Sequence, residues 1–269
     1  MTIFQNTKII SITNQKGGVG KTTTAINLAT ALATIDKKVL VIDFDPQGNA
    51  STGLGIEQNE RNEDIYSLLF EKNTFKEVIK QTKIKNLDVI PASIDLSAAE
   101  IDLANMEEKT LKLRYLFQKN QFLSEYDYIL IDCPPALGFL TLNALGASDS
   151  VMIPLQCEFF ALEGVSHLMN TIQLVQQNIN NELEIEGVLL TMYDRRNKLS
   201  ELVEKDVRNC FGELVFNTLI PRNVRISEAP SHGKPVILYD LDCMGSQAYI
   251  NLAAEFITRN ENKNLKKVA

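Results

Sequence analysis

The stretch at residues 14–24, NQKGGVGKTTT, constrains the fold more than any other part of the chain. Before it, residues 8–13 form a short apolar, β-branched run of strand length, and after it residues 22–35 carry the apolar spacing of a helix. A glycine-rich turn between a strand and a helix lets successive N–H groups face one anion, and the helix N-terminus adds partial positive charge. Gly20, Lys21 and Thr22 complete the end of the pattern G-x-x-x-x-G-K-[ST]. In that pattern the lysine reaches the β and γ phosphates and the hydroxyl ligates Mg²⁺. Gln15 stands where the first glycine belongs, and Gly17 and Gly18 follow Lys16 instead. Val19 and Thr23 complete the set expected to contact the nucleotide. Lys21 already fills the lysine position within the loop, so Lys16 is free to point outward. A lysine there can reach the phosphates of a facing subunit, as an arginine finger does in trans.

The rest of the chain alternates short apolar runs with amphipathic segments, without repeats or low-complexity stretches. The spacing predicts strands at 8–13, 39–44, 87–90, 128–132, 150–155, 185–191 and 214–220. Helices are expected at 22–35, 109–123, 140–147, 164–178, 200–211 and 246–259. Several strands are apolar throughout, as in a parallel sheet covered on both faces. No Pro/Gly/Ser-rich linker divides the chain. The expected fold is α/β: a single doubly wound, mostly parallel sheet with helices on both faces, in one domain over residues 1–269. Its core is expected at about 8–257, followed by a short, flexible, basic tail at 260–269.

Acidic residues end two of the strands. Asp43 and Asp45, in VLVIDFDPQGN, are two apart and point the same way in extended chain. They leave the carboxyl edge, where open α/β sheets bind ligands, and there they can hold Mg²⁺ or orient a water. Asp132 ends YDYILID and is followed by Pro134 and Pro135, the arrangement of a Walker B strand whose aspartate holds Mg²⁺. Cys133 reads as a small buried filler.

The net charge of −7, from 27 basic and 34 acidic residues, excludes a protein that binds nucleic acid over its whole surface. A local patch is compatible with it: residues 194–234 carry eight Lys/Arg against six acids, or +2. No apolar run approaches the roughly 18 residues of a membrane span. The four cysteines show no C-x-x-C spacing and read as reduced thiols of a cytosolic protein.

The segment K-G-G-x-G-K-T resembles the deviant Walker A motif of the ParA/MinD superfamily of ATPases, and DFDPQGN and DCPP resemble its two switches. The resemblance implies ATP and Mg²⁺ as cofactors. It implies that Lys16 contacts nucleotide across an ATP-dependent homodimer, that Lys21 stabilises phosphate charge and that Asp45 positions the attacking water. Thr22, Asp43 and Asp132 are implied around the metal. LIPRNVRISEAPSHGKP and LLTMYDRRNKLS are similar to segments of the chromosomal ParA (Soj-type) proteins. They imply Pro221 and Asn223 at the adenine, and Arg196 and Arg225 on nonspecific double-stranded DNA, with Arg195, Arg222 and Lys234 assisting. Leu238 departs from the pattern, standing where members often carry a basic residue.

The function implied is a cytoplasmic, nucleoid-associated DNA-partition ATPase with slow intrinsic turnover. Its hydrolysis is stimulated by a ParB-type centromere-binding partner. Too few residues precede the loop for a helix-turn-helix, so operator binding is not expected. The alternative is a MinD-like positioning ATPase, which needs an amphipathic membrane helix. The final segment NENKNLKKVA has only Leu265 and Val268 as apolar anchors, so no membrane partner is expected. The iron–sulfur members of the superfamily form a third class, needing cysteines that bridge two subunits. A small-molecule kinase is a further possibility, without a visible acceptor pocket.

Overall fold

The computed structural model describes every residue except Met1, Thr2, Gln5, Phe160 and Ala269, and leaves undescribed the side chains of Glu163 and of residues 264–268. Seven strands form one sheet: β1 (Lys8–Ile12), β2 (Val39–Asp43), β3 (Lys80–Gln81), β4 (Leu87–Ile90), β5 (Tyr128–Asp132), β6 (Ser150–Gln156) and β7 (Glu184–Thr191). Their order is β3-β4-β2-β5-β1-β6-β7. Every pairing is parallel except that of the two-residue edge strand β3 with β4. The register sets Asp132 opposite both Asp43 and Ile12, so the ends of β2, β5 and β1 lie side by side.

The apolar strands are explained by layers on both faces. Ile10, Ile12, Val41, Leu130, Met152 and Leu189 pack under the helices Lys21–Thr34 and Met244–Val268. On the other face Ile9, Ile42, Ile129 and Ile131 pack under the helix Phe139–Ala147 and the short helices between 65 and 118. Val151, Ile153, Val188 and Leu190 pack beside them under Ala161–Asn178 and Lys198–Phe211. The helix Lys21–Thr34 buries Ala25, Leu28, Ala29 and Leu32 completely or nearly so, each large apolar side chain contributing about 1.5–3 kcal/mol. That burial fixes the axis of the helix behind the loop.

Three expectations are corrected. Residues 214–220 do not form a regular strand. The segment runs beside β7, with an isolated parallel bridge at Val188–Val215 and another just beyond both elements at Tyr193–Pro221. Between the bridges, the N–H groups of Asn217 and Thr218 donate instead to the Glu255 carboxylate, at 2.7 and 2.8 Å. The helix expected at 109–123 is confined to Lys112–Gln118, with a 3₁₀ segment Gln121–Glu125 after it. The last helix continues to Val268 beyond the expected end at 259. The side chains of Leu265 and Val268 lie outside the described residues. Among the described residues no helix is long and apolar enough to cross a membrane.

Candidate nucleotide site at the strand ends

The loop after β1 is held at three points. Asn14 is buried, donates from Nδ2 to the Pro154 carbonyl at 2.8 Å and accepts the Lys16 N–H at Oδ1 at 3.0 Å. Thr191, at the end of β7, donates to the Val19 carbonyl at 2.9 Å. Gly18 (φ +76°) and Gly20 (φ +90°) adopt the left-handed conformation that glycine reaches without strain. A Cβ added at Gly17 or Gly18 would meet nothing within 4 Å, so the loop opens onto free space of the kind a phosphate group fills.

The two lysines of the loop part company. Lys21 is 6% exposed and donates from Nζ to the Lys16 carbonyl at 3.0 Å, folding back over the loop. Burial lowers its pKa, and the neighbouring Asp132 charge opposes that shift. Lys16 has a half-exposed side chain and pairs with Glu158, just past the end of β6. Sequence reasoning missed Asn14 and Glu158 because their partners lie about 140 residues away along the chain.

The aspartates differ in what they hold. Asp132 is fully buried, and neither carboxylate oxygen has a hydrogen-bond partner. Its pKa is raised well above the usual carboxylate range, first by burial and then by the Asp43 charge; the Thr22 hydroxyl and Lys21 oppose the rise. Two orphaned oxygens beside Thr22 suit a divalent cation. Among the described residues no group of three or more His, Cys, Asp or Glu could hold a metal alone. The chemistry therefore fits Mg²⁺, which takes one or two protein ligands and completes its shell with phosphate oxygens and water. Asp43 is also fully buried, but its Oδ2 accepts the N–H and hydroxyl of Ser51 at 2.7 and 2.6 Å. Burial raises its pKa to about 6, against those two bonds. Asp45 is 8% exposed, accepts the Gln47 N–H at 3.0 Å and closes a turn through its carbonyl with the Gly48 N–H at 2.9 Å.

Switch-like order also reaches the segment after Asp132. The Glu100 carboxylate accepts the N–H groups of Phe139 and Leu140, at 2.8 and 3.1 Å, and so caps the helix Phe139–Ala147. Gly138, the residue before that helix, has no side chain of its own to do so, and that absence was the signal available in the sequence.

Three of the five basic residues gather past the end of β7, while Lys234 follows Gly233, which packs on Gly55. Arg195, Arg196, Pro221 and Arg222 line one cavity of about 710 Å³ together with Tyr193 and Met244. Asn223 does not line it; its Oδ1 accepts the Arg225 N–H at 2.8 Å and starts the helix Val224–Glu228. Arg196 is bidentate to Asp194, both bonds 3.0 Å, and holds that carboxyl down to about 2. Arg225 pairs with Glu228 at 2.9 Å and Asp240 at 3.2 Å. Arg222 and Lys234 are exposed and, among the described residues, make no ion pair.

The sequence pattern of an AAA domain matches residues 7–185. The chromosome partitioning protein ParA of Caulobacter vibrioides is 54% identical over 259 residues, covering 96% of this chain and 97% of its own. The sporulation initiation inhibitor protein Soj of Bacillus subtilis is 54% identical over 248 residues, covering 92% and 97%. The chain belongs to the ParA/Soj family of chromosome-partitioning ATPases. A solved structure of cobyrinic acid a,c-diamide synthase from Mycobacterium smegmatis, with bound ADP and magnesium, superposes with a TM-score of 0.80 at 34% identity, covering 92% of this chain and 93% of the other. In this ParA/Soj chain, then, the loop at 14–24 and the three aspartates converge on one strand edge, while Arg195, Arg196 and Arg222 line a cavity past the end of β7.

Proposed function

We propose that the chain is an ATP-dependent DNA-partition ATPase whose nucleotide binds between the loop at 14–24 and the ends of β1, β2 and β5. The observation that supports this reading best is the divergence of two lysines from one loop: Lys21 turns in and is buried, Lys16 turns out to the surface. Lys21 and the loop N–H groups bind the β and γ phosphates, with Gly17, Gly18, Val19, Gly20, Thr22 and Thr23 lining them. Lys16 reaches the nucleotide of a second copy and so makes dimerisation depend on ATP. Pro221 and Asn223 flank the adenine.

Hydrolysis is γ-phosphoryl transfer to water. The water oxygen bonds to the γ-phosphorus as the bond to the β–γ bridging oxygen breaks. Thr22 and Asp132, with Asp43 behind them, would hold Mg²⁺, which when bound would neutralise charge on the phosphates. Asp45 orients the water and takes its proton, and Lys21 and Lys16 stabilise charge on the transferred group. Arg196 and Arg225, with Arg195, Arg222 and Lys234, contact DNA phosphates without reading bases. A ParB-type partner stimulates hydrolysis and release.

The test is binding to random-sequence duplex DNA with ATP, with ADP and without nucleotide, across a salt series. Binding with ATP alone, indifferent to sequence and falling steeply with salt, is the expected result. Equal binding in all three nucleotide states would contradict the proposal.

A further inference from the structure

We infer that Arg61 is a positioning residue for hydrolysis: its guanidinium holds in place the turn that carries Asp45. Arg61 is 7% exposed, yet among the described residues it makes no salt bridge. Its side chain is spent on four acceptors, three within residues 48–56 and the fourth at Ala92. Nη1 donates to the Gly48 carbonyl at 3.1 Å and to the Ala92 carbonyl at 3.4 Å. Nη2 donates to the Thr52 hydroxyl at 2.8 Å and the Ile56 carbonyl at 2.6 Å, and Nε to Ile56 again at 3.2 Å.

Gly48 is the residue that closes the Asp45 turn, by donating its N–H to the Asp45 carbonyl at 2.9 Å. It stands at φ +62°, and an added Cβ would overlap Nη1 of Arg61 and lie 2.9 Å from the Ala92 carbonyl. The guanidinium therefore packs directly on the turn. At the N–H of the same residue, Ala92 donates to the Ser51 hydroxyl at 3.1 Å, and that hydroxyl donates to Asp43. Arg61 and Ser51 thus join the exit of β2 to the exit of β4 through the two faces of one residue. Burying a guanidinium without a carboxylate partner is a poor way to stabilise a fold. It is an effective way to fix a turn, because a small displacement of a catalytic group lowers rate far more than it lowers binding.

This inference rests on Asp45 as the water-positioning residue. In the full chain, Arg61→Met is expected to lower kcat for ATP hydrolysis at least about tenfold, to leave KM within about twofold and to speed amide exchange across residues 45–48. Arg61→Lys should recover part of kcat. Thr52→Val removes one acceptor only and should show the same split with a smaller loss, which decides the matter if Arg61→Met does not fold. Unchanged kcat in both Arg61→Lys and Thr52→Val overturns the assignment, as does a loss confined to KM. Normal turnover by Asp45→Ala overturns the underlying reading; a slow Asp45→Ala beside fully active Arg61 variants overturns only the role of Arg61.

Discussion

Asp43 and Asp132 stand directly opposite one another on adjacent parallel strands, both fully buried at the carboxyl edge of the sheet. Ser51 satisfies one of them, while the other keeps two oxygens without partners. Such a pair is unfavourable when both members are charged, and a bound cation would relieve it.

An acid whose folded-state pKa lies above its unfolded value binds more protons when folded, so stability falls as pH rises between the two values. For Asp43 that window runs from 3.8 to about 6, and Asp132 is shifted in the same direction. Lys21, Asp45 and Arg61 face the pair and set the remaining field. The stability that this pair contributes to the nucleotide-free protein should therefore fall from pH 4 toward neutrality, read as the difference between the wild type and Asp132→Asn at each pH. Mg²⁺ with ATP should restore more at pH 7.5 than at pH 5. Asp132→Asn should raise the stability of the nucleotide-free protein by about 1–3 kcal/mol and remove the Mg²⁺-dependent gain. Calorimetry over pH, with and without Mg²⁺–ATP, checks both halves; a destabilised Asp132→Asn would contradict the account.

Asp45→Ala should bind ATP normally and hydrolyse it at least about a hundredfold more slowly. The turn around it is closed by backbone, through Gly48 to the Asp45 carbonyl, so truncating the carboxylate removes the Gln47 N–H bond and keeps that closure. Single-turnover hydrolysis measured beside equilibrium binding of a fluorescent ATP analogue separates the two effects. Loss of ATP affinity would assign Asp45 to binding rather than to the water.

The ion pairs of the arginines predict an asymmetry. Arg196 is clamped by Asp194, and Arg225 by Glu228 and Asp240, so in the proposed role these acids would compete with DNA phosphates. Arg196→Glu with Arg225→Glu should abolish DNA binding and spare the ATP-dependent dimer. Asp194→Asn should tighten DNA binding by releasing Arg196. Removing one contact alone, as in Arg222→Ala, should reduce the salt slope by about one. Filter binding across a salt series tests all three, and weaker binding by Asp194→Asn would mean that the carboxylate aims Arg196 rather than restraining it.

What could be read from the sequence was local. The loop at 14–24 declares itself by residue type and by its place between a strand and a helix, and Asp43 and Asp132 by standing at the ends of apolar runs. The partners of those residues were not legible. Asn14 meets Pro154, Lys16 meets Glu158 and Glu100 caps Phe139, all across segments that only the sheet order brings together. Residues 214–220 misled for the same reason, since Glu255 on the last helix holds the Asn217 and Thr218 N–H groups and interrupts the ladder between the bonds of Phe216 and Ile220 to β7. β3 has only two residues, too few for periodicity to register. Arg61 carries no motif; its meaning comes from four acceptors on the folded chain.

The central claim, that Lys16 couples nucleotide to dimerisation, is tested most directly by sedimentation of Asp45→Ala and of Lys16→Ala/Asp45→Ala with ATP, each with its ATP affinity measured separately. The account predicts a dimer for the first and a monomer for the second, both binding ATP. A dimer in the double variant would contradict it and leave Lys16 as no more than the surface partner of Glu158.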